Sequence, residues 1–177
     1  MTHALFLTLA LLSGCMSDPD PRPRYLALGD SYTIGEGVAP EARWPMQLAA
    51  SLRQTGVEIA DPEIVAVTGW TTDELDAAIT ETDPQGPYDL VSLLIGVNDQ
   101  YRGYDARHYQ GRFRGLLDRA VAFAGGDPGR VVVVSIPDWG TTGFARGRDR
   151  ESIAREIDDF NETAREITEA AGAAWVD

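Results

Sequence analysis

The sequence contains no lysine; all 15 of its basic residues are arginine. A Walker-type phosphate lysine, a Schiff-base lysine and a Ser–Lys dyad are therefore excluded. Its one cysteine, Cys15, rules out an internal disulfide and a zinc finger. Histidine is nearly as scarce, with only His3 and His108. Basic charge is short overall: 15 arginines stand against 28 acidic residues, a formal net charge of −13. Nucleic-acid binding runs on basic patches, so a nucleic-acid partner is not expected. The remaining composition is ordinary. At 44% hydrophobic and 24% charged residues the chain is not a disordered one, and 177 residues suit one domain with a proper core. No repeat, low-complexity segment or second domain is visible.

Residues Ala4 to Leu12 form an apolar run too short to span a bilayer but suited to the core of a signal peptide. Leu12-Ser13-Gly14-Cys15 follows directly. Small residues before a cysteine at this place resemble the lipobox of bacterial lipoproteins. The resemblance implies cleavage before Cys15, lipid attachment to it and a place in the cell envelope, with the lipid as the only membrane contact. One feature departs from it: no arginine or lysine precedes the apolar run. Met16 rather than Asp follows the cysteine, so the inner-membrane retention signal known in some bacteria is missing. Prolines 19, 21 and 23 keep the next stretch extended. The expected division is a signal peptide over 1–14, a lipidated tether over 15–23 and a folded domain over 24–177.

Short apolar runs at Tyr25–Leu28, Ile64–Val67, Leu90–Ile95 and Val131–Ile136, with a weaker one at Ala173–Val176, read as five strands. Val131–Ile136 shows no polar alternation and is expected to be buried on both faces. Helical patterns lie between the runs: Trp44–Thr55, Thr72–Thr82 with a capping box from Thr71 to Glu74, about Ala106–Ala124, and a stripe of Ile153, Ile157, Phe160, Ala164, Ile167 and Ala171. Strands alternating with helices predict an α/β fold, a five-stranded parallel sheet with helices on both faces. In such sheets ligands bind at the carboxyl ends of the strands.

The turns at those ends carry Gly29-Asp30-Ser31-Tyr32, Thr68-Gly69-Trp70, Gly96-Val97-Asn98-Asp99 and Pro137-Asp138-Trp139-Gly140. Each alone reads as a helix-entry turn, a strand terminator or an Asx turn. Together a serine, a glycine and an asparagine at one sheet edge are what acyl transfer needs. The Ser31 hydroxyl would attack a carbonyl, and the N–H groups of Ser31 and Gly69 with the Asn98 amide would meet the developing oxyanion. Glycine at 69 would let the backbone approach without a Cβ in the way, and Asn98 would donate without adding charge.

This series resembles the SGNH hydrolase superfamily, the GDSL-type esterases, over Arg24 to Asp177. Ser135-Ile136-Pro137-Asp138-Trp139-Gly140 resembles members of that family too. The resemblance implies a flavodoxin-like three-layer α/β/α sandwich with Ser31 as nucleophile and Gly69 and Asn98 in the oxyanion hole. It also implies a small-molecule ester, thioester or acetylated-sugar substrate, and neither metal nor cofactor. A monomer is expected.

Two features depart from the family. Tyr32 replaces the usual leucine, and the Asp-x-x-His motif that carries the general base in the family is not present in these residues. His3 would leave with the signal peptide, and His108 reads as a surface residue at the start of a helix. Losing the base of a triad costs about 10⁴ to 10⁶ in rate. A chain stopping mid-fold is therefore expected to turn over weakly or not at all, and apolar sheet surface is expected to lie open. The alternatives are a natural pseudoenzyme and a non-catalytic envelope lipoprotein that binds an acyl or glycan ligand in the same cleft. Asp30, Asp99 and Asp138 could gather around a cation, but turn and cap roles are the simpler reading. Trp70, Tyr101, Tyr104 and Trp139 could line a pocket or cover the core edge.

Overall fold

The computed structural model describes residues 20–177. The expected signal peptide, Cys15 and the first part of the tether lie outside the described residues. Ala60 N–H donates to the Pro23 carbonyl at 2.9 Å, which ties the end of the tether to the folded domain.

Five strands form one sheet: β1 (Tyr25–Gly29), β2 (Glu63–Ala66), β3 (Leu90–Leu94), β4 (Val131–Val134) and β5 (Ala174–Val176). All neighbours run parallel, in the order β2-β1-β3-β4-β5. This is the flavodoxin-like order. Its switch point lies between β1 and β3, where the chain leaves in opposite directions and a crevice opens at the carboxyl ends. β1 is central and buried throughout. Its residues alternate between two layers: Leu26 and Leu28 join the larger core, while Tyr25 and Ala27 pack with Ala49 and Ile59.

Helix α2 (Trp44–Gln54) supplies that second layer through Leu48, Ala49 and Leu52. The larger core is built by α3 (Thr72–Thr82), α5 (Ala106–Phe123) and α6 (Arg150–Ala170). Each of these begins on a side-chain cap, from Thr71, Asp105 and Asp149 respectively. The α6 stripe from Ile153 to Ile167 is buried as its spacing predicts, whereas Ala171 is the exposed C-cap. Two short helices, α1 (Ser31–Ile34) and α4 (Val97–Tyr101), were not expected as helices.

One expectation is corrected. The run Val131–Ile136 is not buried on both faces: β4 ends at Val134, Val131 and Val133 are buried, and Val132 and Val134 are only half-buried. Among the described residues no helix covers that side of β4. Val132, Val134 and Val176 instead border an apolar hollow of about 730 Å³ beside Leu48 and Leu52 of α2.

Candidate active site

The site grows from the two strands at the switch point. After β1, the Asp30 side chain accepts the Tyr32 N–H at 3.0 Å and caps α1, which sets Ser31 at the first position of a helix on the sheet edge. Asp30 is fully buried. Burial pushes its carboxyl up to about 7; the Tyr32 N–H pulls the other way, and the nearby Asp99 carboxylate adds to the rise. Its Oδ2 has no partner among the described residues.

After β3, Gly96 turns the chain into α4 at φ +132°. A Cβ there would stand 2.7 Å from the Tyr109 ring, so only glycine lets that ring pack beneath the helix start. Asn98 follows in the first turn of α4 and donates from Nδ2 to the Trp70 carbonyl at 2.9 Å. A primary amide has a second N–H, which remains for a ligand. Gly69, in the turn after β2, has φ +89°, and no atom lies within 4 Å of where its Cβ would be. Its backbone conformation by itself calls for glycine. The N–H groups of Ser31 and Gly69 have no acceptor among the described residues.

Ser31, Gly69 and Asn98 line one cleft of about 400 Å³. One part of the lining is polar, where the Thr68 hydroxyl donates to Glu36. Another is apolar and made by Val97, Tyr101, Trp139 and Phe144. Of the four aromatic residues singled out in the sequence, Tyr101 and Trp139 line the cleft. Tyr101 does so from α4 rather than from a loop. Trp70 packs half-buried against the core, and Tyr104 lies edge-on to His108 with ring centroids 4.9 Å apart.

Each of the three aspartates takes a turn or cap role. Asp30 caps α1 and Asp138 accepts the Gly140 N–H at 2.7 Å. Asp99 accepts the Thr72 N–H at 3.0 Å and the Thr72 hydroxyl at 2.6 Å. Burial raises the Asp99 carboxyl, and the Thr72 bonds oppose that rise. His108 sits outside the cleft lining, with Nε2 at 3.2 Å from Asp73, whose other oxygen takes Arg112 at 2.8 Å.

Sequence reasoning missed two contributors. Arg102, four residues after Asn98, donates to the Gly69 carbonyl at 2.6 Å and pairs with Glu74 at 3.0 Å. The Glu74 carboxyl is held below the usual range, first by the Thr71 N–H and then by Arg102. The i, i+4 spacing from Asn98 was the available signal. Phe144 was the other, a lone aromatic in a polar Thr/Gly/Arg loop.

The family model for the GDSL-like lipase/acylhydrolase family matches residues 27–177. No curated protein matches the sequence. Among solved structures, the fold is similar to that of the psychrotrophic esterase EstA from Pseudoalteromonas sp., solved with monoethylphosphonate as inhibitor. That likeness has 19% identity over 87% of this chain and 76% of that one, with a TM-score of 0.60. It is also similar to AlinE4, an SGNH-hydrolase family esterase, at 20% identity over 89% and 77% with a TM-score of 0.67. The acetylxylan esterase Axe2 from Geobacillus stearothermophilus is similar at 20% identity over 88% and 75%, with a TM-score of 0.66.

Proposed function

The chain belongs to the GDSL-like lipase/acylhydrolase family, a family of ester hydrolases, and on that premise we propose that it cleaves carboxylic esters through an acyl intermediate on Ser31. One observation carries this reading: a serine at a helix start, a glycine N–H and an asparagine amide, delivered by three separate crossover turns, line a single cleft. In the proposed reaction Ser31 Oγ bonds to the ester carbonyl carbon as its proton passes to water in the open cleft. The carbonyl oxygen takes the negative charge and is met by the Ser31 and Gly69 N–H groups and the free N–H of Asn98. The intermediate collapses, the alkoxide leaves with a proton, and water then releases the acid from Ser31.

The Ser31 hydroxyl has no hydrogen-bond partner among the described residues, and His108 is engaged with Asp73 outside the cleft. We therefore expect slow turnover from residues 1–177 by themselves, with oxyanion stabilisation and binding supplying what rate there is.

The test is covalent labelling. A fluorophosphonate probe should modify Ser31 slowly but in preference to every other serine, as read by peptide mass spectrometry. Ser31→Ala should abolish the label together with any hydrolysis of p-nitrophenyl acetate. Hydrolysis that survives Ser31→Ala defeats the nucleophile assignment. An unlabelled Ser31 in a protein that still binds esters in the cleft favours the non-catalytic binding reading.

A further inference from the structure

The apolar part of the cleft is a built wall. Tyr101 comes from α4, Trp139 from the short 3-10 turn Trp139–Thr141 and Phe144 from the next, Gly143–Ala145. Their ring centroids lie 5.4 Å apart for Tyr101–Trp139 and 5.8 Å for each of the other two pairs. Trp139 is buried, whereas Phe144 is 70% exposed at the opening.

The polar atoms of this wall are mostly committed within the protein. Trp139 Nε1 donates its only proton to Gln100 at 2.8 Å, and Gln100 is anchored in turn on Glu156 of α6 at 2.7 Å. The Thr142 hydroxyl donates to the Trp139 carbonyl at 2.7 Å and accepts the Phe144 N–H at 3.2 Å. The Tyr101 oxygen receives Arg148 at 3.0 Å, and that guanidinium lies over the Tyr101 ring at 4.9 Å. Elsewhere in the lining, the Thr68 hydroxyl donates to one oxygen of the Glu36 carboxylate.

The wall therefore offers mostly carbon surface; among the described residues its free donors are the Tyr101 O–H and the N–H groups of Arg148 not given to Tyr101. A sugar laid against it would lose water from hydroxyls that find few partners, which is costly. An alkyl chain would lose only apolar hydration, which is favourable. We infer that this wall seats an apolar acyl chain, so that the preferred substrates are esters of medium-chain alkyl acids rather than acetylated glycans. The choice of acyl over leaving group rests on the Ser31 reading above; the chemistry of the wall does not.

The experiment reads binding, so it does not depend on turnover. The chain is titrated with methyl hexanoate, methyl acetate and an acetylated methyl xyloside while backbone amide resonances are followed by NMR. Methyl hexanoate should shift Tyr101, Thr142 and Phe144 and bind about tenfold or more tightly than methyl acetate, from its four additional methylenes. The xyloside should bind more weakly than methyl hexanoate. Phe144→Ala, a change at an exposed ring that leaves the fold intact, should narrow the hexanoate-to-acetate ratio severalfold. Equal affinities, tighter binding of the xyloside, or hexanoate shifts confined to the hollow at Leu48 and Val132 would each overturn the proposal. Hexanoate binding at the wall with no phosphonate label on Ser31 would overturn the nucleophile reading, and with it the acyl assignment, while the wall's preference for alkyl chains stands.

Discussion

Asp30 shows what one residue contributes beyond its place in a motif. The sequence identifies it as a turn residue beside Ser31, and it does cap α1 through one oxygen. Its other oxygen is buried without a partner, and its carboxyl is pushed up to about 7. An unfolded aspartate titrates near 4. Between those two values the unfolded chain has released a proton that the folded one retains. Stability therefore falls as pH rises from about 4 to about 7, by roughly 1.4 kcal/mol at most for each unit crossed, and levels off above. Asp30→Asn keeps an acceptor for the Tyr32 N–H and removes the titration. Its stability gain over the parent should grow across that window and stay constant from about pH 8, as measured by urea unfolding at a series of pH values. A gain that does not change with pH would show that Asp30 is not held protonated.

At the scale of elements, α4 is the unusual piece. Five residues make little more than one turn, which has no stability of its own in water. Side chains hold it instead: Asn98 on Trp70, Asp99 on Thr72, Gln100 on Trp139 and Glu156, and Arg102 on Gly69 and Glu74. Arg102 thereby ties the helix that carries Asn98 to the turn that carries Gly69. Arg102→Ala should slow phosphonylation of Ser31 by about tenfold through misplaced donors, with Arg102→Lys intermediate. The melting temperature should move little, because the ion pair is two-fifths exposed and worth at most about 1 kcal/mol. An unchanged labelling rate in Arg102→Ala would remove the positioning role. The long elements were legible because α2, α3, α5 and α6 repeat apolar residues over several turns and the strands are short apolar runs. α1 and α4 were not, since four or five residues establish no period.

For the whole molecule, the two sides of the sheet are unequally covered. α3, α5 and α6 close one core, while among the described residues α2 is the one helix on the other and leaves the hollow bordered by Val132, Val134 and Val176. Val176 is 48% exposed. Open apolar surface of this kind favours self-association, which a net charge of −13 opposes. The chain should bind the dye ANS and sediment with a concentration-dependent increase in mass that grows with salt. Val176→Glu should reduce both signals. Dye binding unaffected by that change would place the adhesive surface elsewhere.

The alternation of strands and helices, the Thr71 capping box and the three candidate site residues were legible in the sequence, because each is encoded in neighbouring positions. The sequence also excluded lysine chemistry and an internal disulfide. The tertiary structure alone decided that Ser31, Gly69 and Asn98 share a cleft, that Arg102 reaches Gly69 across 33 positions, that Phe144 completes a wall and that Val132 and Val134 lie half open. Those facts depend on which distant segments meet and which faces stay uncovered, and local periodicity carries no record of either.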